Sequence, residues 1–118
     1  MDGFYSTSAV QVPYLDDTSQ PIRFWANKYK TKFNEDPTVF SVYGYNAVDA
    51  FIKAAQKAGP NLSTDSFIKA MDTMVIPPDM FGSAEGTFGP QKRLGSDLSR
   101  LSQIQDVKWK VVSDYVKP

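Results

Sequence analysis

Proline and glycine divide this chain into short segments, and their placement limits what each segment can become. Pro21 follows Thr18-Ser19, where a hydroxyl can cap a helix and a first-turn proline loses nothing by lacking an N–H. Asp36-Pro37 ends the helix that starts there, because the residue before proline is pushed out of the helical region. Gly59-Pro60 closes a second segment and Pro77-Pro78 forces a loop after a third. Three stretches of helical length lie between these breaks, with strand-like stretches at both ends of the chain. The expected class is α/β, with about three helices, short strands and a closing hairpin.

The apolar pattern assigns a face to each helix. In the first, Ile22, Trp25, Ala26, Tyr29 and Phe33 share one side, while Lys28, Lys30 and Lys32 fall largely elsewhere. The brief apolar stretch Val39 to Val42 reads as a short strand leading into a second helix, from near Tyr43 to Ala58. Its inward face is Ala47, Val48, Phe51, Ala54, Ala55 and Ala58. The third helix is capped by Ser63 or Thr64, reaches about Asp72, and turns Phe67, Ala70, Met71 and Met74 inward. Strands are expected within Gly3 to Val10, at Thr87-Phe88, at Ser102 to Gln105 and at Val107 to Val112. In the last, Val107, Trp109 and Val111 alternate with Lys108 and Lys110, and Asp106 marks the hairpin turn.

Several functions are disfavoured by composition. With 118 residues the chain fits one compact domain, and 42% hydrophobic residues argue against disorder. Thirteen basic residues balance thirteen acidic ones without a basic block, so nucleic acid is not an expected partner. Neither cysteine nor histidine is present. Thiol nucleophiles, disulfides, imidazole bases and ordinary zinc sites are thereby removed, and the expectation is a protein that is not an enzyme and uses no cofactor or metal. No apolar run approaches the roughly 20 residues needed to cross a bilayer, and Met1-Asp2-Gly3-Phe4-Tyr5 lacks the regions of a signal peptide. Asp16-Asp17 reads as a helix-entry loop, Glu35-Asp36 and Lys92-Arg93 read as solvated loop residues, and Gly82 to Pro90 reads as a hairpin rather than a phosphate loop, since no Gly-Lys-Ser/Thr follows.

One cluster invites a binding role. Phe40, Ser41, Tyr43 and Tyr45 gather three aromatic rings and a hydroxyl where the expected short strand meets a helix N-terminus. Ligands of open α/β sheets bind at the carboxyl ends of strands, and helix N-termini welcome carboxylates. Core packing is the competing reading for these rings.

The run Pro37-Thr38-Val39-Phe40-Ser41-Val42-Tyr43-Gly44-Tyr45-Asn46-Ala47 resembles the Tyr-Asp-Ala region of the leucine/isoleucine/valine-type (type I) periplasmic solute-binding proteins of ABC transporters, with Asn46 where those proteins often have aspartate. Asp2 to Ser6 resembles the strand before the family's late lobe crossing, and Pro21 to Phe33 the helix that usually precedes the Tyr-Asp-Ala segment. Gly82 to Gly95 resembles a late Gly-x-x-Gly hairpin, with Phe88-Gly89 for the commoner Phe-Asp. Ser102 to Trp109 resembles the closing strands, with Val107 where glycine is frequent.

The resemblance implies the C-terminal portion of a two-lobed clamp, residues 16–95 belonging to the N-terminal lobe and residues 3–12 and 100–113 supplying strands of the C-terminal lobe and its crossings. It implies periplasmic, noncatalytic binding of an amino acid or related carboxylate for delivery to an ABC permease, with Phe40 and Tyr43 as ligand-binding residues. The groups that hold the ligand's amino and carboxylate ends come from earlier segments of the family fold, so this chain alone is expected to bind weakly or not at all. The alternatives are a chain that self-associates as a homo-oligomer through exposed apolar surfaces and a ligand-sensing domain of a regulator.

Overall fold

The computed structural model describes residues 1–117, and its elements begin and end largely where the breakers stand. Helix α1 (Gln20–Phe33) starts behind Ser19 with Pro21 in its first turn. It ends on Asn34, whose left-handed backbone (φ 55°) lets its N–H reach the Lys30 carbonyl. Helix α2 (Val39–Ala58) stops at Gly59, which takes φ 85°. Helix α3 (Thr64–Thr73) opens on a reciprocal cap: the Ser66 N–H donates to Ser63 Oγ at 3.1 Å and the Ser63 N–H to Ser66 Oγ at 2.9 Å.

Residues 39–42 correct the short-strand expectation, for they form the first turn of α2. The physical reason is local. Ser41 Oγ accepts the Thr38 N–H at 3.0 Å, and the Val42 N–H already bonds the Thr38 carbonyl at 3.2 Å, so the helix begins at Val39 instead of four residues later.

The strands are β1 (Tyr5–Ser8), β2 (Val75–Ile76), β3 (Gly86–Thr87), β4 (Arg100–Gln105) and β5 (Lys108–Val111). An antiparallel sheet of order β1-β4-β5 pairs Ser6 with Ser102 and Ile104 with Trp109. Strands β2 and β3 form a separate two-residue pair; β2 was not anticipated, and the strand expected at Thr87-Phe88 lies one residue earlier. Val107 also departs from expectation. It occupies the tight turn with Asp106, at φ 65° and 52° respectively, and is almost fully exposed instead of opening the strand.

The core is small. Val10, Ile22, Val42 and Phe81 bury together, with Trp25, Val39 and Met80 packed around them. The Phe81 ring meets Trp25 edge-on at 5.0 Å and Tyr45 at 6.0 Å between centroids. Of the residues expected inward, Ile22, Ala26, Ala54, Ala70 and Met74 are buried, but Phe33, Val48 and Phe51 are more than half exposed. Only α3 packs extensively on α2, with Phe51 against Phe67 at 4.9 Å, so the rest of the α2 stripe has no covering layer. The 16.3 Å radius of gyration exceeds the roughly 13.5 Å of a compact domain this long, as a partly covered set of layers requires. Among the described residues no helix is long and apolar enough to cross a membrane.

Candidate functional site

The capped start of α2 fixes where its first side chains point. Val39 turns onto the core, which sends Phe40 outward to 77% exposure. Tyr43, three residues on and thus on the same side, is 43% exposed. The two rings meet edge-on, 6.0 Å between centroids. Tyr45, the third aromatic of the cluster, meets Phe81 and Trp25 edge-on while remaining 47% exposed. Asn46 is structural: its Nδ2 donates to Ser83 Oγ at 3.0 Å, and Ser83 donates to Asp79 Oδ2 at 2.9 Å. An amide supplies a donor there, where a carboxylate would face a second acceptor group.

Beside the start of α2 lies a recess of about 800 Å³ between one face of the three-stranded sheet and residues 10–18. Its lining includes Ser6, Ser8, Ser102 and Trp109 from the sheet, Gln11 and Tyr14 from the following loop, and Val39 from the start of α2. Phe40 and Tyr43 are not part of its lining; Val39, which precedes Phe40, is. Pairing places Ser6 opposite Ser102, and Ser8 and Ser102 share a hydrogen bond of 2.7 Å between their hydroxyls. Ser102 is the one buried polar residue among the described residues, so this pair satisfies a group that would otherwise cost about 1–3 kcal/mol to bury.

The rim of the recess is held by loop-to-hairpin contacts. Lys108 Nζ donates to Asp16 Oδ2 at 2.5 Å, and that hydrogen bond holds the Asp16 carboxyl below its ordinary 3.8. The Trp109 N–H donates to the Tyr14 hydroxyl at 2.8 Å, and the Lys108 ammonium sits 5.2 Å from the Tyr14 ring centre. Asp17 accepts the Ser19 N–H at 2.8 Å, which orders the loop that enters α1. Asp16 serves as an ion-pair partner from 92 residues away, which sequence reasoning missed.

The recess therefore offers hydroxyls, an amide and an aromatic wall, with Lys108 and Lys110 ion-paired to Asp16 and Asp106. Such a lining suits hydrogen bonding of a small polar molecule better than nucleophilic chemistry. Among the described residues no group of three or more acidic side chains converges as a metal site would need.

Known proteins give this geometry a context. A family model described as periplasmic binding protein matches residues 1–107. Among solved structures, the chain is similar to the crystal structure of a branched chain amino acid ABC transporter from Thermus thermophilus with bound valine, at a TM-score of 0.72, 15% identity and 99% coverage of this chain. The chain spans 34% of the length of that protein. No curated protein matches it significantly. At such low identity the structural likeness speaks for the fold, and the fold agrees with the expectation of an α/β, type I periplasmic-binding arrangement represented in part. By the match over residues 1–107, this chain belongs to the periplasmic binding protein family.

Proposed function

We propose that this chain forms part of a periplasmic solute-binding protein that captures an amino acid or related carboxylate, without catalysis, and delivers it to an ABC permease. Residues 16–95 supply one lobe, and residues 3–12 with 100–113 supply strands of the other and the crossings between them. Phe40 and Tyr43 form an aromatic wall against the solute's side chain. The observation that carries this reading is an aromatic pair left open to solvent at a helix start beside a polar recess, in a chain matching the periplasmic binding protein family over residues 1–107. Large exposed rings are costly to keep unless something covers them, and a solute between lobes is a cover. The similar Thermus thermophilus structure with bound valine supports starting with branched-chain amino acids.

Calorimetry on the longer protein, with a panel led by L-valine and including simple carboxylates, tests the reading. Binding that Phe40→Ala weakens by about tenfold, roughly 1.4 kcal/mol of lost apolar contact, is the expected result. No heat from any amino acid or carboxylate refutes the solute class, and unchanged affinity in Phe40→Ala refutes the wall. The 118-residue chain alone is expected to bind no tighter than about millimolar, since one wall leaves most of a ligand's surface wet.

A further inference from the structure

The sheet β1-β4-β5 and the helices meet at a narrow junction, and one side chain near the C-terminus reaches both sides of it. The Tyr115 hydroxyl donates to the Gly82 carbonyl, in the loop that carries the core residue Phe81. It also lies 3.0 Å from the Ala9 carbonyl, in the segment leaving β1. A phenol has a single hydrogen, so one donor is shared by two acceptors on neighbouring segments, which the Gln11 N–H to Phe81 carbonyl bond of 2.8 Å ties together.

The ring of Tyr115 is held from behind. The Arg100 guanidinium lies over it, 4.7 Å from the ring centre, while Arg100 Nε and one terminal nitrogen are buried without a hydrogen-bond partner among the described residues. An unpaired guanidinium against a ring face is tolerable because the quadrupole attracts it. Gly82 makes room: a Cβ there would collide with the guanidinium, and its φ of 71° favours glycine as well. The Ser99–Val116 bridge, with bonds of 3.0 and 2.8 Å, fixes the backbone on which Tyr115 stands. Burial raises the phenol's pKa, which keeps the hydrogen in place across the neutral range.

We infer that Tyr115 is a positioning residue whose hydroxyl sets the spacing between the sheet and the helices, and with it the width of the recess between β1, β4 and Val39. Tyr115 stands on the sheet side through the Ser99–Val116 bridge, so rotation of the sheet away from the helices draws its hydroxyl off both carbonyls.

The chain has no cysteine, so Lys57→Cys on α2 and Val107→Cys at the hairpin tip accept a pair of spin labels whose separation reports that spacing. Tyr115→Phe keeps the ring under Arg100 and removes only the hydroxyl. In the full chain it is expected to raise the population of wider separations about fivefold, the effect of one hydrogen bond, with the far-ultraviolet circular dichroism unchanged. An unchanged distance distribution overturns the inference, whether or not the melting temperature falls. Loss of folding in Tyr115→Phe also overturns it, because the hydroxyl would then hold the fold and not the spacing. The readout is taken without any solute, so it stands or falls independently of the solute-binding reading.

Discussion

Replacing Val107 by glycine is expected to stabilise the chain, although it deletes a hydrophobic side chain. Asp106 and Val107 are the two central residues of the β4–β5 hairpin, both at positive φ, the arrangement of a type I′ turn that favours Asp-Gly. A left-handed conformation costs an L-residue about 1–2 kcal/mol, and β-branching puts Val107 toward the upper end. Against this, glycine gives the unfolded chain extra freedom worth about 0.5–1 kcal/mol. The valine side chain is 89% exposed, so almost no burial is lost. The net gain is about 0.5–1 kcal/mol, or a rise in melting temperature of about 3–5 °C for a chain of this size. Urea titration at unchanged slope measures it. Val107→Ala is the control, since it removes the branch but keeps a Cβ; its gain is expected to be less than half that of glycine. A loss of stability in Val107→Gly, or a gain in alanine equal to that in glycine, refutes the assignment of strain to the backbone of this turn.

Three further perturbations probe the core, the start of α2 and the rim of the recess. Phe81→Ala empties the centre of the only buried cluster among the described residues and is expected to cost about 3–5 kcal/mol, enough to abolish cooperative melting in a marginally stable chain. Ser41→Ala removes the acceptor of the Thr38 N–H and should cost about 0.5–1.5 kcal/mol, with faster amide exchange confined to residues 39–42 and a reorientation of Phe40. Because the folded-state pKa of Asp16 is lowered, the Lys108 contact is fully present above 3.8 and lost as pH falls through the depressed value. Chemical shifts of residues 14–18 should follow that acid titration, and Asp16→Asn should abolish it; a titration at or above 3.8 contradicts the pairing.

How much of this was legible in the sequence depends on how local the deciding contact is. The limits of α1 and α3, the end of α2 and the β4–β5 hairpin follow from caps and breakers within a few residues, and they were readable. Val39 to Val42 misled because three apolar residues and a serine carry no usable period; one hydroxyl, Ser41, decides for helix. Strand β2 is two residues long and exists through pairing with Gly86–Thr87, which no local pattern encodes. The recess was invisible for the same reason, since Ser8 and Ser102 meet from 94 residues apart. Phe40 and Tyr43 were singled out by the aromatic cluster and then by family resemblance; their exposure could not be read, because nothing in sequence separates an aromatic that fills space from one that awaits a partner.

That last distinction governs the apolar stripe of α2. Periodicity marked Val48 and Phe51 as inward, and Ile52 adjoins them, yet all three are about half exposed or more, whereas Ala54 on the same helix is fully buried. Periodicity therefore identified a side that can be buried without saying what buries it, and α3 covers only a portion. In the isolated chain, Val48→Lys with Ile52→Lys should cost less than about 0.5 kcal/mol, as surface changes do, and should reduce self-association measured by light scattering. In a longer protein with the complete two-lobed fold the same pair should be destabilising by several kcal/mol, because each lysine would enter a packed layer without a partner. Equal stability losses in both settings would mean that the stripe is already covered in the chain alone. No loss in either would mean that the stripe is an ordinary solvent-facing surface and that the family fold leaves it open.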